Sequence, residues 1–242
     1  MRNLAIFTEG RTEQIFAEKL VLFLAGGANV AVRVERVEGG RREPRRIVEI
    51  AGTGEPEGHE FFVLIIDCGQ DERVKSDIRD RYKGLIEAGY QHIVGIRDLR
   101  PFKREDAHRV RQGFSFGWPN GPIKPALILA IMEIEAWFLA EYSHFSRVHE
   151  AITVERIRRE FGFDPASDHM QLRERPAKDL EDIYFLEAIP YHKTREQVER
   201  TVSSLDFSLI RNHVATRIAD LGKLVRLIEA FFEARGRANH VV

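Results

Sequence analysis

The chain has one cysteine, Cys68, among 242 residues. A single thiol excludes an internal disulfide and supplies no framework for a thiolate zinc site, which fits a reducing compartment. No stretch reaches the roughly 18 uninterrupted apolar residues of a membrane span, and the first apolar run is broken at once by Glu9 and Arg11, which does not read as a signal peptide. The expectation is a cytoplasmic protein with no membrane partner. Neither sign of charge is in excess. The net charge is -1, so no global basic field announces a nucleic-acid partner and only local patches are left for that role. The nine histidines show no metal-ligand spacing such as HExxH, which argues against a His-rich zinc site. "EGGRRE" lacks the GK[ST] ending of a P-loop, so ATP use by this chain is not expected.

What is present is a chain 43% hydrophobic and 31% charged, enough to bury a substantial core. Its first half alternates strand-like with helix-like pattern. Strands are expected at about 3–8, 30–37, 61–67, 92–98 and 125–131, and "FFVLIID" (61–67) is apolar on both faces, as a central parallel strand is. Helices are expected at about 11–25, 44–51, 71–88 and after 131; residues 99–123 read as a long loop or lid. From 143 on, helical stretches at about 153–161, 178–187, 194–204 and 206–235 follow without a strand. The reading is therefore α/β, a mostly parallel Rossmann-like sheet flanked by helices over 1–142, with an all-helical subdomain over 143–242 packed on it.

"LAIFTEGRTEQIFAEKL" (4–20) sets two acids where a strand hands over to a helix. Glu13 has a local explanation: it sits in the helix's first turn, behind a cap expected from Thr12 or Thr8. Glu9 does not, because it falls at the strand's carboxyl end, the edge along which open α/β sheets bind ligands. Asp67 and Asp98 also end strands, and Glu133 and Glu135 follow the fifth. Parallel strands end on one edge, so these acids are expected to converge. Carboxylates held together raise one another's pKa values unless a cation joins them. An all-oxygen donor set suits Mg²⁺ or Mn²⁺. The expected metal set is Glu9, Asp67, Asp71, Asp98, Glu133 and Glu135, with Glu9, Asp67 and Asp98 as catalytic residues. Only one of Glu133 and Glu135 is expected to face the pocket, since helix neighbours two apart diverge. Cys68, beside Asp67, is read as a packing residue whose thiol is made less reactive by the neighbouring carboxylate.

A polyanionic substrate needs cations. Arg41, Arg42, Arg45 and Arg46 form one concentration. Arg97, Arg100, Lys103, Arg104, Arg109 and Arg111 form another, interleaved with Phe102, Phe114, Phe116 and Trp118 so as to follow a backbone and stack bases. Arg11, Thr12, Arg97 and Arg100 are the expected phosphate contacts. Lys178 and Lys193 either reach toward the acids or face water, and Phe231 and Phe232 either bury internally or form a homodimer contact.

"TEGRTEQIF" and "VLIIDCGQD" resemble the Toprim domain of topoisomerases, DnaG-type primases and overcoming-lysogenization-defect nucleases, over roughly the first 140 residues. "AIMEIEAWFLAE" is similar to a motif of poorly characterised bacterial Toprim-like proteins, some linked to phage defence. The resemblance implies a Glu after the first strand and a DxD after a central strand holding Mg²⁺ for cleavage at phosphodiesters of DNA or RNA, with a separately encoded ATPase as a candidate partner. Here DxD is replaced by Asp67-Cys68-Gly69, leaving Asp71 or Asp98 as the substitute acid. Two function classes follow: a metal-dependent phosphodiester hydrolase, with water as nucleophile because no tyrosine stands in a defensible position, or a catalytically inactive nucleic-acid-binding or regulatory module. Action on a small phosphate ester is a third, because fold alone does not select substrate.

Overall fold

Strand β4 (Phe61–Asp67) is buried at every residue in the computed structural model, which describes residues 1–39, 46–54, 56–69 and 73–233. Burial on both faces requires strands on either side and helices above and below. The neighbours are β1 (Arg2–Thr8) and β2 (Val30–Glu38), both parallel to β4. Beyond β1 lies β5 (Tyr90–Asp98), again parallel, then β6 (Ala126–Ala130). The protein is thus α/β, with a six-stranded, mostly parallel sheet in the order β3-β2-β4-β1-β5-β6.

The outermost strand beside β2 is β3 (Arg46–Gly52), antiparallel to it. A helix was expected at 44–51. The β-branched residues Ile47, Val48 and Ile50 favour a strand instead, and the segment between Glu38 and Arg46 is shorter than the dozen or more residues that a parallel crossover needs. The expected 99–123 loop also holds a helix, α3 (Ala107–Ser115), preceded by a short 3-10 turn at Arg104–Asp106.

Helix α1 (Arg11–Ala25) buries Ile15, Phe16, Leu20 and Val21, and α2 (Arg73–Glu87) buries Val74, Ile78, Tyr82 and Leu85 at helical spacing. Gly95 of β5 lets α2 come close. A Cβ there would lie 2.8 Å from Val74 Cγ1 and 3.3 Å from Ile78 Cδ1. The remaining helices are α4 (Glu135–Ala140), α5 (His144–Val148), α6 (Val154–Phe161), α7 (Pro176–Phe185), α8 (Arg195–Ser204), α9 (Phe207–Leu209), α10 (Ala215–Arg217) and α11 (Ala219–Glu233). A π-helical turn, Ile210–Val214, joins α9 to α10.

Two compact units result: Met1–Arg97 with Gln112–Ile128 and the segment from Lys223, and Asp98–Arg111 with Leu129–Gly222. In the first, Phe61 packs edge-on against Phe231 and Phe232 at 5.3 and 5.1 Å between ring centroids. Both phenylalanines are buried internally. In the second, Trp137, Phe138, Phe145, Ile157, Leu180 and Tyr184 form a core with essentially no solvent exposure. Among the described residues no helix is long and apolar enough to cross a membrane.

Candidate functional site

The first unit brings Glu9 and Asp67 to one rim. In the parallel register Thr8 lies opposite Asp67, the Cys68 amide donates to the Thr8 carbonyl at 2.9 Å, and the Glu9 amide donates to Ile96 at 3.1 Å. Because the chain leaves β1 toward β2 on one side and β5 toward β6 on the other, this rim borders a topological switch point, where open α/β sheets bind ligands.

Asp67 is 3% exposed, and both its oxygens are engaged. Oδ2 accepts from Arg36 Nε at 2.8 Å and Oδ1 from the Gly69 amide at 3.0 Å. Arg36 stands directly opposite Asp67 across the β2-β4 ladder. Gly69 has φ +74°, a left-handed conformation in which an Asp would be strained. Residue 69 thereby turns its amide back onto Asp67. Burial, then Asp77 and Asp67, push the Cys68 thiol far above its ordinary range, as expected of an inert packing residue.

Around the start of α1, Gly10 is the cap residue, and its amide donates to Glu13 Oε2 at 3.1 Å. Glu13 thus closes the helix start, as half of a capping box does. Thr8 Oγ1 donates instead to the Ile66 carbonyl, at 3.2 Å, and Thr12 is buried. Arg11 opens the helix with its Nε buried and lacking a hydrogen-bond partner. Arg97 is half-buried near the end of β5.

The other acids belong to the second unit. Asp98 is buried, and its Oδ1 accepts from the Ile134 amide at 2.8 Å. Glu133 Oε2 accepts from the Ala177 amide at 2.9 Å at the start of α7, and its Oε1 lies 3.9 Å from Arg100 Nε. Glu135 is fully buried; Oε1 accepts from Tyr191 Oη and faces Lys193 Nζ, each at 2.9 Å, while Oε2 has no hydrogen-bond partner. Lys193 therefore does reach an acid, from a left-handed backbone (φ +56°). Met132, immediately before Glu133, has φ +64°. Such conformations cost on the order of 1 kcal/mol in non-glycine residues.

A cavity of about 300 Å³ opens in this unit, lined by Arg100, Arg175, Lys178, Lys193, Glu133 and Glu181, with Tyr191 and His192 completing the wall. Glu133 lines it and Glu135 lies outside its lining, but this cavity holds none of Glu9, Asp67 and Asp98, with which the pair was expected to share a pocket.

Among the described residues no group of three or more His, Cys, Asp or Glu side chains is placed to hold a metal ion. Asp71 lies outside the described residues, as do Arg41, Arg42 and Arg45. Two of the loop arginines are drawn into structural pairs. Arg111 holds Asp220 with both Nη atoms, at 2.9 and 2.5 Å, and Asp220 also accepts from the Leu129 amide. Arg104 pairs with Glu174 at 2.9 Å. Of the aromatics, Phe114 is buried against Trp118, while Phe102 and Phe116 are exposed.

Arg36, Tyr191 and Arg175 were not singled out by the sequence. "VAVRVERV" marks Arg36 as lying on a half-exposed strand face, but its partner depends on a long-range register. No protein family, curated protein or solved structure matches this chain.

Proposed function

We propose that this chain is a Toprim-like nucleic-acid-binding module in which an arginine, rather than a metal ion, balances the carboxylate at the sheet's rim. The observation that carries this reading is the pairing of Asp67 with Arg36 and the Gly69 amide. A carboxylate with both oxygens engaged, and no third donor grouped with it among the described residues, does not fit a divalent ion. Arg11 at the positive end of α1 and Arg97 near the end of β5 supply cationic charge in the same unit. Such groups contact a phosphate backbone without reading sequence.

The test is fluorescence anisotropy with single-stranded DNA and RNA over a salt series. Binding should weaken steeply as salt rises, because neutralised phosphates release counterions, and Arg11→Gln should weaken it further. Absence of binding at low salt would overturn the reading.

A second reading, the Mg²⁺-dependent phosphodiester hydrolase, is favoured by one observation: Glu9 stands half-exposed at the end of the strand adjacent to Asp67. It requires Arg36 to leave Asp67. Metal-dependent cleavage lost on Glu9→Gln and Asp67→Asn would select it.

A further inference from the structure

We infer that the cavity of the second unit is a binding site for a phosphate monoester carrying hydroxyl groups, of sugar-phosphate or mononucleotide size. Four cationic side chains, Arg100, Arg175, Lys178 and Lys193, face two acidic ones, Glu133 and Glu181, around about 300 Å³. That volume suits a small molecule and is too small for a duplex.

The two guanidinium groups are only partly satisfied from within. Glu133 is 3.9 Å from Arg100, whereas Lys178 lies 2.8 Å from Asp182 and 3.1 Å from Glu181, His192 lies 3.4 Å from Glu181, and Lys193 meets the buried Glu135. Among the described residues Arg175 makes no ion pair, although it lines the cavity. With Lys178 and Lys193 held by carboxylates, Arg175 and the loosely paired Arg100 are the cations left to meet an anion, and guanidinium groups match phosphate oxygens in fork geometry. The two carboxylates would repel a bare anion but accept hydrogen bonds from hydroxyls. A phosphoryl group next to a polyol meets both demands. Lys193 and the residue preceding Glu133 hold left-handed backbones, so cavity-wall groups are set in place by local strain that packing sustains.

Isothermal titration of the full chain without added metal tests this. The probes are inorganic phosphate, ribose 5-phosphate, adenosine 5′-monophosphate, and a dinucleotide with either a 5′-phosphate or a 5′-hydroxyl. Saturable binding is expected for the phosphorylated probes and not for the 5′-hydroxyl dinucleotide. Preference for the free monoesters would identify a metabolite-like ligand, and preference for the phosphorylated dinucleotide a strand end; both support the site. Arg175→Gln and Lys178→Gln, both at exposed positions, should each raise Kd about tenfold with thermal midpoint unchanged. Lys83→Gln, on exposed α2 surface, should leave it unaltered. No saturable binding of any phosphorylated probe, equal binding of the 5′-hydroxyl dinucleotide, or affinity unchanged in both cavity variants would overturn the assignment.

Discussion

Arg36 Nε lies 2.8 Å from Asp67 Oδ2 at the carboxyl edge of the sheet, pairing a quarter-exposed guanidinium with a carboxylate side chain that is only 4% exposed. Removing the cation leaves a buried charge with only the Gly69 amide as a donor. Arg36→Ala should therefore destabilise the protein by about 2–4 kcal/mol, and adding Asp67→Asn should recover part of the loss. Urea denaturation of the two single variants and the double variant measures the coupling. Equal losses that simply add would mean the pair contributes nothing.

The sheet was largely legible because its signals are local. The doubly apolar "FFVLIID", the alternating "VAVRVERV" and the Gly26-Gly27 stop need no knowledge of distant residues. The 44–51 segment forms a strand and not the expected helix because its short connection to β2 favours an antiparallel neighbour. At the site, the placement of Glu9 and Asp67 on adjacent strand ends followed from parallel topology. That Asp67 would meet Arg36 did not, since it depends on how β2 registers against β4. Likewise, Tyr191 and Lys193 meet Glu135 through tertiary packing of segments some 56 residues apart, which no periodicity reveals.

Gly95→Ala tests the fit of α2 on β5. The new methyl would sit 2.8 Å from Val74 Cγ1, and overpacking of this kind costs about 1–3 kcal/mol. Val74→Ala in the same chain opens the space and should reduce the penalty relative to the sum of the two changes. Thermal unfolding of the four proteins in the cycle gives the answer.

His144 makes stability depend on pH. Its ring is fully buried, Nδ1 donates to the Glu141 carbonyl at 2.6 Å, and Nε2 has no hydrogen-bond partner. Burial depresses its pKa from 6.5 to about 4. The unfolded chain therefore takes up this proton near pH 6.5 while the folded chain refuses it until about pH 4. Stability from this group is complete above the unfolded value and is lost as pH falls through that window, about 2 kcal/mol of it by about pH 5. Glu141, raised by burial, acts in the opposite direction: its folded form takes up a proton earlier than the unfolded one and offsets part of the loss. In His144→Gln the acid-side decline should shrink, as measured by urea midpoints at about pH 7.5 and 5; an unchanged decline would contradict the assignment.

The most direct test of the account is a cleavage assay of single- and double-stranded DNA and RNA with Mn²⁺ or Mg²⁺, using the wild type, Glu9→Gln, Asp67→Asn and Arg36→Ala. An arginine-balanced binding edge predicts no metal-dependent cleavage by the wild type. Cleavage that needs the ion and disappears in both carboxylate variants would contradict it and make the rim a nuclease centre.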